Sequence, residues 1–142
     1  MASRERWLRL EALGYLLVAR VALKTVPFRW LTRVFERESR LPELEGPARD
    51  EVRAEVRRAI SQAARLLPGT VCFPKAIAAQ AMLRRRAVAT TLYCGAATIP
   101  GRGLVTHVWL QDRDFGVAGH RVSGQYQPLA RYSGRRARQG AQ

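Results

Sequence analysis

Two residues have the types and spacing that covalent chemistry needs: Cys72, within the stretch GTVCFPKAIAAQAMLRRR from Gly69 to Arg86, and His107 downstream of it. Cys72 stands at the start of a predicted helix. Thr70 suits an N-cap, Pro74 is tolerated in a first turn, and Ala76 to Leu83 has high helix propensity. A thiol there meets backbone N–H groups without helical partners and the positive end of the helix dipole, and both favour the thiolate. Lys75 adds a positive charge, and the same N–H groups are placed to hold an oxyanion. His107 falls in a predicted strand. From there an imidazole takes the thiol proton, or pairs with the thiolate, and later protonates a leaving amine. A nucleophile on a helix start with its base on a strand is how a cysteine nucleophile is armed for acyl transfer. Composition alone favours the plainer reading, a packed thiol and a packed histidine. Cys94, in mid-strand without a helix start or a cationic neighbour, takes that plainer role.

The elements that must position these groups divide the chain in two. Residues 4–24 predict a helix with an apolar stripe of Leu10, Leu13, Leu17 and Val21, and Arg6, Arg9 and Arg20 elsewhere on the wheel. A second helix is expected over 28–38, carrying Trp30, Leu31, Val34 and Phe35, and the segment SRLPELEGP is a linker loop. A third helix, about 47–66, has Pro47 at its first position, Asp50 and Glu51 at its positive end, and a stripe of Val52, Val56, Ala59, Ile60, Ala63 and Leu67. The arginines of these helices are expected to form a solvated face.

After Arg84-Arg85-Arg86 the texture turns β-branched and aromatic. AVATTLYCGA, a turn at IPGRG and LVTHVWLQ predict two strands, the second with Leu104, Thr106, Val108 and Leu110 on one face and Val105, His107, Trp109 and Gln111 on the other. A tight turn at Asp112 to Asp114 leads to a third strand in DFGVAGH, and QYQPLARY adds a short strand or loop. Helices first and an antiparallel sheet after them predict an α+β fold. The expected organisation is one domain over 1–133, with its N-terminal helices at 4–66, and a basic polar tail at 134–142.

The chain has 142 residues, with 25 Lys plus Arg against 11 Asp plus Glu and a net charge of +14. Such a balance attracts nucleic acid, an anionic membrane or an acidic peptide without choosing among them. Two cysteines without a C-x-x-C pair make neither a disulfide scaffold nor a metal site, and the reading is cytoplasmic, with no cofactor and no metal. Around the apolar run Leu13 to Val18, Arg9, Glu11, Arg20 and Lys24 make the window too charged for a membrane span. The membrane role left to it is that of a surface-lying amphipathic helix.

The run VCFPKAIAAQAMLRRRAVATTLYCG, a loop and then THVWLQ resembles the protease half of the lasso-peptide biosynthesis B protein, a transglutaminase-like, papain-related fold. The elements that carry the resemblance are Cys72, Pro74, the helix Ala76 to Leu83, the basic run Arg84 to Arg86, the strand Val88 to Gly95, and His107-Val108-Trp109. The helical first half, with VPF at Val26 to Phe28, fits too. The resemblance implies a cysteine leader peptidase that cuts a lasso precursor peptide with Cys72 and His107. The freed amine would pass to a partner cyclase, and a separate leader-binding recognition protein, supplied in trans, would present the precursor. It implies no nucleic-acid partner. A transglutaminase-type acyl transferase and a non-enzymatic basic scaffold are the alternatives.

The resemblance also implies a catalytic Asp about a dozen residues past the histidine, where this chain has Gly119. The nearest carboxylates are Asp112 and Asp114. With a hairpin closed at 112–114, His107 would lie across from residues 118–120, and Asp112 about 16 Å along its own strand at ~3.3 Å per residue. His120, a backbone carbonyl or a carboxylate from the helical half are the candidates for a third group.

Overall fold

The computed structural model describes residues 2–35, 42–67, 69, 72–113, 115–118 and 126–133. Four helices, α1 (Ala2–Thr25), α2 (Phe28–Phe35), α3 (Gly46–Leu66) and α4 (Cys72–Arg85), precede four strands, β1 (Thr91–Ile99), β2 (Gly103–Asp112), β3 (Phe115–Ala118) and β4 (Gln127–Ser133). This is the expected α+β class. The strands form one antiparallel sheet in the order β3-β2-β1-β4.

Helix α4 is the centre of the molecule. Its alanines Ala76, Ala78 and Ala79 are buried with Met82 and Leu83, and it packs on α1 and α3 on one side and on β2 and β3 on the other. Small side chains let three helices and a sheet approach one axis closely. The helix closes in a Schellman motif: the Val88 N–H donates to Leu83 O at 2.9 Å and the Ala87 N–H to Arg84 O at 3.2 Å. Ala87, at the position that usually holds glycine, has φ +62°.

The core runs through Leu8, Ala12, Leu16, Val56, Ile60, Met82, Leu83, Leu92, Val108 and Leu110. The first helix departs from expectation. Its buried face is Leu8, Ala12, Leu16 and Ala19, while Leu10, Leu17 and Val21 of the expected stripe are exposed. Helix α1 is apolar on two arcs, and the arc with the two alanines faces α3 and α4 because it admits the closer approach. In α2, Leu31 is buried and Trp30 exposed, whereas Val34 and Phe35 lie outside the described side chains.

The arginines of α3 are not uniformly solvated either. Arg49 is 1% exposed. Its guanidinium donates to both carboxylate oxygens of Asp112, from Nε at 2.8 Å and Nη2 at 2.5 Å, and to the carbonyls of Leu44 and Ala89. Arg53 reaches Asp112 Oδ2 from the next turn at 3.0 Å. These bonds tie α3, the segment before it, the lead into β1 and the end of β2 to one point.

In the β1–β2 hairpin the Arg102 N–H donates to Ile99 O at 3.0 Å, with Gly101 in the left-handed region (φ +82°). The β2–β3 ladder carries an irregularity between Leu110 and Gln111, and it ends with Ala118 opposite Leu110. Ala118 is therefore three residues short of His107, not across from it as the unbroken hairpin predicted. The last strand is a full ladder partner of β1, reached on the side away from β2. It shifts register between Cys94 and Gly95, skipping Leu129 and setting Pro128 opposite Gly95.

Candidate functional site

Cys72 is the first residue of α4, half-buried, with its thiol free. N–H groups in a first helical turn lack intrahelical acceptors, and Pro74 withdraws only a donor that the helix does not use. Lys75 is half-buried in the same turn, which holds no acidic residue. The expected cap, Thr70, lies outside the described residues. Beyond the thiol, α4 runs over the sheet.

Strand alternation sorts the remaining groups. Across the β1–β2 ladder Cys94 pairs with Val108, Gly95 with His107 and Tyr93 with Trp109. Val108 belongs to the helix-side core, and Cys72 and Cys94 are packed against that core. Burial pushes the Cys94 thiol above its ordinary value, and the charge of the nearby Cys72 pushes it further in the same direction. Cys94 is thus the packed thiol that its strand position predicted, and it marks where the α4 start meets the sheet.

His107, one ladder step on, belongs to the opposite face by alternation. Its ring stacks on Tyr126 (centroids 4.9 Å apart, 29° between planes) and on Trp109 (5.9 Å, 19°), and Trp109 stacks on Tyr93 (5.5 Å, 9°). The Trp109 Nε1–H donates to Gln111 Oε1 at 2.8 Å. A Cβ on Gly95 would meet Trp109 ring carbons at 2.8 and 2.9 Å and the Gln127 carbonyl oxygen at 3.0 Å. Only glycine lets the indole lie flat on β1. The structure therefore sets Cys72 and Cys94 against the same helix-side core, and His107 in an aromatic tier on strands β1 and β2. The two groupings are joined through the neighbours Cys94 and Gly95.

A family model described as the transglutaminase-like superfamily matches residues 15–131. This chain belongs to that superfamily. The match spans α1 to β4 and includes both Cys72 and His107, so the helix-start thiol and the strand histidine fall within the transglutaminase-like domain. Neither the comparison with curated proteins nor that with solved structures gave a match.

For the transglutaminase-like domain a third group beside the imidazole is the open position. Asp112 does not take it. It is 2% exposed at the far end of β2, and its carboxylate is occupied by Arg49 and Arg53. Burial is the largest single influence on this carboxyl and pulls its pKa up. The hydrogen bonds and charges of the two guanidinium groups together outweigh it, and the carboxyl is held below the ordinary range. The hydrogen bond to Asp112 in turn raises the Arg49 pKa. Asp114 and His120 lie outside the described residues. Among the described residues no group of three or more His, Cys, Asp or Glu could hold a metal ion. Tyr126 was not singled out from the sequence, because β4 had no partner assigned to it. The Arg49–Asp112 pair was missed because nothing in a run of arginines distinguishes the one that turns inward.

Proposed function

We propose that this chain is a cysteine peptidase that removes the leader from a lasso-peptide precursor. Cys72 is the nucleophile and His107 the general base and acid. The observation that carries the reading is the place of Cys72, first residue of a helix laid on the sheet that holds His107, within a transglutaminase-like domain. Membership of that superfamily fits cysteine peptidase or acyltransferase chemistry in general. The leader peptidase rests on the sequence resemblance, from Cys72 through His107-Val108-Trp109.

In this mechanism the thiolate attacks the scissile carbonyl, and the resulting oxyanion is met by N–H groups of the first turn of α4. His107 delivers the thiol proton to the leaving amine as the C–N bond breaks, leaving a thioester on Cys72. Water then adds, giving its proton to His107, and the C–S bond breaks to release the leader as a carboxylic acid. The freed amine is what a partner cyclase joins to an acidic side chain. A recognition protein supplied in trans presents the leader. The imidazole is stacked on Tyr126 on the sheet face opposite Cys94, so this mechanism requires it to leave that stack and come within about 3 Å of the thiol in the substrate complex. His120 remains the candidate to orient it. Two free thiols suit a reducing compartment, the cytoplasm.

A synthetic precursor incubated with its recognition partner tests the proposal. Cys72→Ala and His107→Ala should abolish cleavage, and Cys94→Ala should leave it intact. Undiminished cleavage by Cys72→Ala would sink the mechanism. A transglutaminase-like domain can also hand the thioester to an amine, and mass spectrometry of the product separates the two: the acid if water accepts, the amide if an amine does.

A further inference from the structure

Helix α1 carries a second apolar face that nothing among the described residues covers. Trp7, Leu10, Leu17, Val18 and Val21 are exposed, Trp7 at 72% and Val18 at 66%. At about 100° per residue they fall on one arc of roughly 100°, opposite the arc that packs on α3 and α4. From Trp7 to Val21 the stripe extends about 21 Å at 1.5 Å per residue. Gly14 lies within it and adds no side chain, so the apolar line is not interrupted by a polar group.

The flanks decide what such a face fits. By the same angular count Arg6, Arg20 and Lys24 border one side of the stripe. On the other border stand Arg4 and the α4 arginines Arg85 and Arg86, which reach Glu11 at 3.0 and 2.6 Å. Arg4 holds Glu55 at 3.0 Å while its side chain stays 64% exposed. Cations thus edge the stripe on both sides. A helix built to pair with another helix usually alternates charge signs along its flanks to set register. The flanking cations outnumber the carboxylates that meet them, Glu11 and Glu55, and such a margin matches a surface of opposite sign. A tryptophan and leucines between rows of arginine and lysine are the composition of a helix that lies in the interface of an anionic bilayer. The chain's net charge of +14 opposes a second copy and favours an anionic surface. No helix among the described residues is long and apolar enough to cross a membrane, so the contact is with the surface alone.

We infer that the exposed face of α1 docks this protein on an anionic membrane surface, with Trp7, Leu10, Leu17, Val18 and Val21 entering the headgroup region and the flanking cations held by anionic headgroups. The reading is independent of the chemistry at Cys72.

Flotation of the full chain with vesicles tests it. The wild type should float with mixed phosphatidylcholine–phosphatidylglycerol vesicles, lose binding as salt rises, and stay down with phosphatidylcholine alone. Leu17→Glu and Val21→Glu should each weaken binding about tenfold or more, since burial of one large aliphatic side chain is worth that much. Both positions are exposed, so thermal unfolding should be unchanged, which separates lost docking from lost fold. Cys72→Ala should float like wild type. Failure of the wild type to float at low salt would overturn the inference. So would undiminished flotation of both glutamate variants, because binding would then be by charge alone. A dimer or a complex with an acidic protein that Leu17→Glu abolishes, without flotation, would assign the stripe to a protein partner and overturn it too.

Discussion

Arg49 and Asp112, 63 residues apart in sequence, form a two-pronged ion pair that is almost wholly buried, with Arg53 as a second cation on the same carboxylate. Removing Arg49 takes the two-pronged partner from a buried carboxylate and leaves Arg53 to hold it through a single oxygen. Arg49→Met should lower stability by about 3–5 kcal/mol in urea unfolding. Replacing Arg49 and Asp112 together by apolar residues should cost less than the sum of the single changes, because no charge of the pair is then stranded.

The same carboxyl sets a pH dependence. Its pKa is lower in the folded chain than in the unfolded one, where a free Asp titrates near 3.9. Its contribution is therefore present above about pH 4 and is lost as pH falls through the lower, folded value. Acid unfolding followed by circular dichroism should show this loss, and Asp112→Asn should flatten that part of the curve.

The α4 terminus offers a gain instead of a loss. Ala87 holds a left-handed conformation that costs a residue with a Cβ about 1–2 kcal/mol. Ala87→Gly should raise the unfolding free energy by about 1 kcal/mol, after the greater chain entropy of glycine is set against the relieved strain. An unchanged or lowered midpoint would mean that the Schellman closure is not what fixes this turn.

Gly95→Ala is expected to do the reverse. The added methyl would press on Trp109 and the Gln127 carbonyl and should cost about 1–3 kcal/mol. Trp109→Leu should recover part of that cost in the double variant, a coupling that a double-mutant cycle measures. If the His107 stack depends on the indole beneath it, Gly95→Ala should also depress peptide cleavage.

Alkylation of the two thiols should differ. Cys94 is raised by burial and then by the charge of Cys72, so its reaction with iodoacetamide should be slow at pH 7 and accelerate only at alkaline pH. Cys72→Ala removes the second influence and should shift that profile to lower pH. Mass spectrometry of peptides labelled over a pH series reads both.

Much of this architecture was written in the sequence. The glycines of IPGRG and the alternation around His107 and Trp109 specified the hairpin, and the Pro47 start and apolar spacing specified α3. The α4 start at Cys72 was legible because helix propensity rises so sharply after it. Three things were not. Helix α1 has two apolar arcs, and only packing against α3 and α4 selects Leu8, Ala12, Leu16 and Ala19 over Leu10, Leu17 and Val21. The inward turn of Arg49 depends on a carboxylate 63 residues away. The stack of Tyr126 on His107 depends on β4 crossing to β1, a long-range pairing with no local signal. For the candidate site, both groups of the proposed dyad could be named from sequence, but the aromatic tier that holds the imidazole could not.

The register shift in β4 has a further consequence for life in a crowded solution. Strand β4 is an outer strand of the sheet, and an outer strand presents a row of backbone groups on which a second chain can add. Here that row is spoiled in two adjacent places. Pro128 supplies no N–H, and the skipped Leu129 bends the strand out of regular pairing. Among the described residues no strand adds beyond β4, and this rim is a poor template for edge-to-edge aggregation.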